Sequence, residues 1–123
     1  MTWVMVAVGG AMGSLLRYGV AFSLSRWIGN PVPYATAVVN VIGCAVAGLL
    51  LGLVASQRIT LTGNERALVF SGILGGLTTF SGFGMDTLLL LEEGRRATAI
   101  VNVCTQVIAG IGVLVICYTL AKR

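Results

Sequence analysis

The residues best suited to ion chemistry lie in one ten-residue run, GGLTTFSGFG at residues 75–84. The run carries four glycines, three hydroxyl side chains and two phenylalanines, and it contains no charged residue. Gly75 and Gly76 disfavour a regular helix, and an interrupted helix frees main-chain oxygens and N–H groups that can bind ions. We therefore predict a helix break near residues 75–79, with an unbroken helix that uses its glycines for packing as the alternative.

Two phenylalanines, Phe80 and Phe83, follow the predicted break, and their spacing puts both rings on one face of a helix. Rings in membrane helices usually contact lipid or neighbouring helices. A phenyl ring also has a positive edge, which attracts a small anion without a formal charge, and conduction requires binding of such moderate strength. The ring pair is therefore a candidate anion contact, with ordinary packing as the alternative.

Polar side chains also occur singly on two apolar segments. Asn40 lies four residues after Thr36, and Asn102 lies four residues before Gln106, so each pair shares a helix face. A buried amide needs hydrogen-bond partners, and its NH₂ group offers two donors. Each amide alone is typical of contacts that hold helices together. With the ring pair, they give three polar faces that can converge in one helix bundle.

The elements that must position these side chains are membrane helices. The chain is 57% apolar and only 10% charged, against roughly 45–50% and about 25% in soluble domains. Four segments are long enough for a hydrocarbon layer of about 30 Å, which takes about 20 residues of helix; they are residues 3–28, 34–55, 67–91 and 97–121. The prediction is an all-α membrane protein with one four-helix domain, residues 1–123, whose third span is broken at mid-membrane.

The ends of the spans carry recognisable signals. No Lys or Arg precedes the first span, and three further spans follow it in the sequence. We therefore expect the first span to be a retained helix rather than a signal peptide. The prolines of GNPVP, residues 29–33, cannot continue a helix. Thr62 and Glu65 have the spacing of a capping box, which predicts that the third helix begins there.

Cysteine and histidine usage argues against catalysis. The sequence has no histidine, and its three cysteines all lie within predicted spans, where a thiol behaves as a small apolar group. We expect no disulfide framework, no metal cluster and no enzymatic activity. The sequence pI of about 9.4 reflects charges that flank the spans and does not indicate nucleic acid.

The charges leave the topology open. With four spans, the termini and the middle loop share one side of the membrane, and the positive-inside rule compares the two sides. One side has four basic residues and the other has three: Arg58, Arg66, Lys122 and Arg123 against Arg26, Arg95 and Arg96. This balance indicates either a weak signal or dual topology, in which copies insert in both orientations and pair antiparallel.

Small residues recur four positions apart, which lets helix backbones approach closely inside a membrane. The pairs are Gly9/Gly13, Gly48/Gly52 and Gly72/Gly76. Some of them must serve packing within one subunit, so the spacing alone does not establish a homodimer.

The sequence resembles the Fluc family of fluoride channels, also called CrcB, over essentially its whole length. Four stretches carry the resemblance: GGAMGSLLRY, TAVVNVIG, GILGGLTTFSGF and EEGRRATAIVNV, at residues 9–18, 36–43, 72–83 and 92–103. The resemblance implies an antiparallel, dual-topology homodimer with two fluoride pathways and a structural sodium ion at its centre.

The resemblance also implies roles for individual residues. Main-chain oxygens of Gly75 and Thr78 would bind sodium. The fluoride pathway would use ring edges, one amide, a hydroxyl track and polar residues of the fourth span, namely Phe80, Phe83, Asn40, Thr79, Ser81, Asn102 and Gln106. Arg17 would line a vestibule that attracts anions, with snorkelling to the membrane interface as the alternative.

Two glycines depart from the pattern of the family. Gly82 stands where the family usually has threonine, TTFSGF in place of TTFSTF, and Gly110 stands where some relatives have serine. The hydroxyl track is therefore expected to be shorter here. Asp86 lies one turn after Phe83, where relatives often have Glu, and the sequence assigns it no role.

The function expected from the resemblance is passive, fluoride-selective conduction across the plasma membrane, or the inner membrane of a Gram-negative bacterium. HF crosses membranes uncharged and dissociates in the cytoplasm, and a channel lets the trapped anion leave, which relieves fluoride toxicity. One alternative is a small proton-coupled multidrug exporter, which needs an embedded acid in the first span, where this chain has none. Another is a structural subunit of a membrane complex that transports nothing.

Overall fold

The protein is all-helical in a computed structural model that describes residues 1–30 and 32–123. Four helical segments are long and apolar enough to cross a membrane, and they extend over Thr2–Ile28, Tyr34–Ala55, Gly63–Glu92 and Arg96–Lys122. We name the first two α1 and α2, the two parts of the third segment α3 (residues 63–77) and α4 (Phe80–Glu92), and the last α5. The chain is therefore a multi-pass membrane protein, as predicted. Pro31 of the predicted proline-containing connection lies outside the described residues.

The start of α3 follows from its first residues. Thr62 Oγ1 accepts the Glu65 N–H at 3.3 Å, and the Glu65 carboxylate accepts the Thr62 N–H at 2.7 Å. This reciprocal pair is the predicted capping box. It starts the helix at Gly63, whereas the hydrophobic pattern alone placed the span at 67–91.

Glycines bring α1 and α3 into backbone contact. A Cβ atom on Gly9 would lie 2.5 Å from the Leu68 carbonyl oxygen, and one on Gly76 would lie 2.5 Å from that of Gly10. A Cβ on Gly13 would lie 2.7 Å from the Leu77 nitrogen. Only glycine allows this approach, which is how small residues four apart join membrane helices.

Glycines also bring the backbones of α2 and α5 into close contact. A Cβ on Gly48 would collide with the Leu114 carbonyl, and one on Gly52 would lie 2.5 Å from the Tyr118 carbonyl oxygen. All three predicted glycine pairs therefore pack within one chain.

The outer surface of the bundle is strongly apolar. Large side chains on every helix are exposed, and Trp3 and Trp27, at opposite ends of α1, are each 88% exposed. Tryptophans favour the two interfaces of a bilayer, so their positions fit a helix that spans it. The buried apolar residues are few: Val39, Leu74, Leu90, Ala99 and Ala121.

Candidate ion site at the junction of α3 and α4

Two threonines separate α3 from α4. Thr78 (φ −84°, ψ 154°) and Thr79 (φ −153°, ψ 118°) have extended backbone between Leu77 and Phe80. The Thr79 hydroxyl oxygen accepts the Gly82 N–H at 3.0 Å and so caps α4. Extended residues thus lie within the predicted interval 75–79, although Gly75 itself is helical.

The end of α3 leaves main-chain oxygens without helical partners. The last bond of α3 runs from the Thr78 N–H to the Leu74 carbonyl at 2.9 Å. Among the loop and cap hydrogen bonds of residues 1–30 and 32–123, none goes to the carbonyl of Thr78. The Thr79 N–H, which an unbroken helix would direct to the Gly75 carbonyl, donates to Asn40 Oδ1 instead. Both residues line a groove of about 420 Å³ at the junction. Carbonyl oxygens at the end of a half-helix are suited to binding a monovalent cation.

Asn40 of α2 holds the extended backbone. Its Nδ2 group donates to the Thr79 carbonyl at 3.1 Å, and its Oδ1 accepts the Thr79 N–H at 2.8 Å. The side-chain amide therefore pairs with Thr79 as a neighbouring strand would. Nδ2 also donates to Gln106 Oε1, so both of its protons are committed. The predicted pore-lining amide does line the groove, but it also satisfies the interrupted main chain.

A chain of hydrogen bonds continues from Asn40 through α5 and back to α4. Gln106 Nε2 donates to Asn102 Oδ1 at 2.8 Å, so the predicted pair four residues apart is in contact. Asn102 is only 3% exposed, and its Nδ2 donates to Thr87 Oγ1 at 3.0 Å. The Thr87 hydroxyl in turn donates to the Phe83 carbonyl at 2.8 Å.

Thr87 belongs to this chain of hydrogen bonds, although no sequence pattern singled it out. It follows Asp86 and precedes a run of leucines, a context typical of a hydroxyl that bonds back within its own helix. One available signal was the spacing of four residues from Phe83, which puts Thr87 on the same helix face as that ring.

A local change of helix type accompanies Gln106. Residues Thr105–Ala109 of α5 are π-helical, as are Ala67–Leu74 of α3. Such turns often occur at functional sites, because they rotate the following side chains relative to a regular helix. The π-helical turn of α5 contains Gln106, which reaches the groove.

The two rings lie together at the groove. The Phe80 and Phe83 centroids are 5.4 Å apart with their planes tilted by 54°, and both rings line the groove. Phe83 is half-buried, whereas Phe80 is 83% exposed in the single chain. The groove is thus open along the ring pair.

Two of the hydroxyls predicted to form a track, those of Thr79 and Ser81, are in contact at the start of α4. Thr79 Oγ1 and Ser81 Oγ lie 3.1 Å apart, so one of the two hydroxyls donates a hydrogen bond to the other. A Cβ on Gly82 would lie 2.7 Å from the Thr79 methyl carbon, so this glycine leaves space for the rotamer of Thr79. Ser81 borders the groove through this contact, without lining it.

Two charged residues within the spans, Arg17 and Asp86, do not line the groove. Arg17 is half-buried on α1 and does not line the groove. Asp86 is buried at 9% exposure, and its Oδ2 has no hydrogen-bond partner in the described part of the chain. Asn102 does not line the groove either, and it is linked to the groove by its hydrogen bond with Gln106.

The fold and the site define a small helical membrane protein with a polar groove beside the extended residues Thr78 and Thr79. Residues 4–118 match the family described as "CrcB-like protein, Camphor Resistance (CrcB)", and the chain belongs to this family. The resemblance noted from the sequence is therefore confirmed.

Curated relatives cover most of the chain. A protein of Aeromonas salmonicida is 39% identical over 101 residues, which are 82% of this chain and 80% of the relative. One of Chloroflexus aurantiacus is 39% identical over 111 residues (90% and 87%), and one of Methylobacillus flagellatus is 38% identical over 120 residues (97% and 93%). All three are named "Fluoride-specific ion channel FluC".

Proposed function

We propose that this protein is a fluoride-selective channel of the plasma membrane that lets cytoplasmic F⁻ leave passively. The relatives named as fluoride-specific channels support this function. The observation on which it rests in the structure is the groove that joins two phenyl rings to the amide of Gln106 and the extended backbone at Thr79. The protein is accordingly a channel and not an enzyme.

The groups at the groove suit a small, strongly hydrated anion. Ring edges replace part of the water shell without a trapping charge, and Gln106 has a second Nε2 proton beyond the one it gives to Asn102. Fluoride also competes with Gln106 Oε1 for the proton that Asn40 donates there. Each contact is exchangeable, as conduction requires.

A sodium ion is proposed at the end of α3. Gly75 and Thr78 line the groove, and the Thr79 N–H that an unbroken helix would give to the Gly75 carbonyl goes to Asn40 instead, so main-chain oxygens here suit a hard monovalent cation. The ion would supply positive potential beside the anion route. The chain itself supplies the extended turn that keeps these oxygens turned away from helical bonds.

The working unit is proposed to be an antiparallel homodimer, with the junction of α3 and α4 at mid-membrane. The open groove and the 83% exposed Phe80 support a second copy that covers this face. The near balance of four against three basic residues supports insertion in both orientations. The glycine pairs lend no support, because they already pack within the chain.

Purified protein in liposomes tests the function directly. Fluoride efflux with a potassium ionophore, and without any proton gradient, is expected to be rapid, and chloride efflux is expected to be slow. A proton-coupled exporter would instead need the gradient and would move organic cations, and a structural subunit would produce no flux at all.

A substitution of Phe80 tests whether the phenyl rings contact fluoride. Phe80→Ile removes the ring edge while keeping an apolar side chain, so fluoride efflux is expected to fall to the background of protein-free liposomes. Phe22→Ile is the control, because Phe22 is an exposed ring on α1 that stacks on Tyr18, away from the groove. Normal efflux from Phe80→Ile would contradict the pathway.

A further inference from the structure

We propose that Thr87 is a positioning residue that sets the direction of the hydrogen-bond chain and thereby holds the extended backbone at Thr79. Thr87 does not line the groove, so it acts through other residues. The link to conduction rests on the proposed function, whereas the link to Thr79 does not.

The direction of the chain is fixed at its Thr87 end. Thr87 gives its only hydroxyl proton to the Phe83 carbonyl at 2.8 Å, which leaves oxygen lone pairs toward α5. Asn102 must therefore present its NH₂ group to Thr87, at 3.0 Å, and its oxygen to the other side. A reversed Asn102 amide would place its oxygen against another oxygen.

The orientation of each following amide is determined by its hydrogen bond to the preceding one. With the Asn102 oxygen turned toward Gln106, the Gln106 amide donates at 2.8 Å and turns its own oxygen toward α2. That oxygen accepts from Asn40 Nδ2. The hydrogen-bond chain thus contains three amides in a row, and the Thr87 hydroxyl at one end selects the same direction that the Thr79 main chain needs at the other.

The last link decides whether Thr79 is held. In the observed orientation, Asn40 Oδ1 faces the Thr79 N–H at 2.8 Å, and Nδ2 faces the Thr79 carbonyl at 3.1 Å. A flipped Asn40 would set donor against donor and acceptor against acceptor at the same positions. The Thr87 hydroxyl therefore stabilises the only amide orientation that can pair with the interrupted main chain.

The two ends of the chain enclose the ring pair. Thr79 directly precedes Phe80, and the carbonyl that receives the Thr87 hydroxyl belongs to Phe83. The chain therefore fixes the backbone on both sides of the two rings. Loss of its direction is expected to loosen the rings without removing any group that touches the anion.

Amide exchange at Thr79 in the protein reconstituted in lipid nanodiscs tests this inference. Thr87→Val keeps the shape of the side chain but removes the hydroxyl, so exchange of the Thr79 N–H is expected to accelerate by about tenfold or more, the loss of one buried hydrogen bond. Fluoride efflux is expected to fall with it. Thr87→Ser keeps the hydroxyl, so both the Thr79 exchange rate and the fluoride efflux are expected to stay within about threefold of wild type, a smaller change than the loss of one buried hydrogen bond would cause.

Thr119→Val is the matched control. Its hydroxyl donates to the Val115 carbonyl of its own helix at 2.7 Å, as Thr87 does in α4, but it has no place in the chain. This variant is expected to leave Thr79 exchange and efflux at wild-type levels. If it accelerated Thr79 exchange as much as Thr87→Val, the effect would be general helix loosening and the inference would be wrong.

Three further results would overturn the inference: unchanged Thr79 exchange in Thr87→Val, reduced efflux without faster exchange, or failure of Thr87→Ser to rescue. If Thr87→Val does not fold, Gln106→Met breaks the chain one link nearer to Asn40 and must accelerate Thr79 exchange instead. Absence of fluoride efflux from the wild type would refute the proposed function, while the exchange comparison would still decide the role of Thr87.

Discussion

Replacement of Asn40 by leucine isolates what holds the junction of α3 and α4. Asn40→Leu is similar in size and loses all hydrogen bonding, so the Thr79 N–H has no partner and the Thr79 carbonyl keeps only a 3.4 Å bond from the Phe83 N–H. An unsatisfied buried group costs about 1–3 kcal/mol. One orphaned donor and one weakened acceptor therefore predict that the free energy of unfolding falls by about 2–5 kcal/mol.

Unfolding of the purified protein by a titration with a denaturing detergent, followed by tryptophan fluorescence, measures this loss. Ser56→Ala, at the residue that directly follows α2, is the control. The Ser56 hydroxyl lies within hydrogen-bond distance of the carbonyls of Leu53 and Ala121, and its removal leaves no buried N–H unpaired. It is expected to change stability by less than about 0.5 kcal/mol. A stability of Asn40→Leu equal to that of Ser56→Ala would refute the view that this amide satisfies the interrupted backbone.

Two further predictions concern packing and sodium. Gly13→Ala places a methyl group against the α3 backbone, 2.7 Å from the Leu77 nitrogen, and is expected to lower the free energy of unfolding by about 1–3 kcal/mol. Gly10→Ala is the control, because no atom lies within 4 Å of the added group, and it is expected not to destabilise the protein. Equal effects of the two variants in the detergent titration would be inconsistent with close packing of α1 on α3. If the Gly75 and Thr78 carbonyls hold sodium, each tenfold rise in sodium above its dissociation constant is expected to add about 1.4 kcal/mol to stability. The same titration with choline chloride is expected to give no such gain, and identical curves for the two salts would argue against the site.

The spans were predictable because composition and length leave few alternatives. A segment of this hydropathy must face lipid, and α2 extends over Tyr34–Ala55 as predicted from residues 34–55. The start of α3 was also predictable, because a capping box is a local signal between Thr62 and Glu65. Local chemistry settled these features without any knowledge of the tertiary structure.

The position of the extended residues could be predicted only approximately. Adjacent glycines suggested residues 75–79, yet Gly75 and Gly76 are helical, and Gly76 serves the contact with α1. The extended residues are Thr78 and Thr79 because Asn40, 39 positions away in the chain, pairs with the latter. A contact so distant in sequence has no local signal. The π-helical turns, such as Thr105–Ala109, have none either.

The division of hydrogen bonds at the junction supports the proposal that one uncharged turn lies beside both a sodium ion and a fluoride pathway. The N–H and the carbonyl of Thr79 are both occupied by the amide of Asn40, whereas Gly75 and Thr78 line the groove beside it. An unpaired N–H in lipid costs several kcal/mol, and a free one would also bind an anion too tightly for it to leave. Because Asn40 occupies that donor, main-chain oxygens at the proposed sodium site would favour a cation, and fluoride in the proposed pathway would meet only ring edges and shared amide protons that it can exchange.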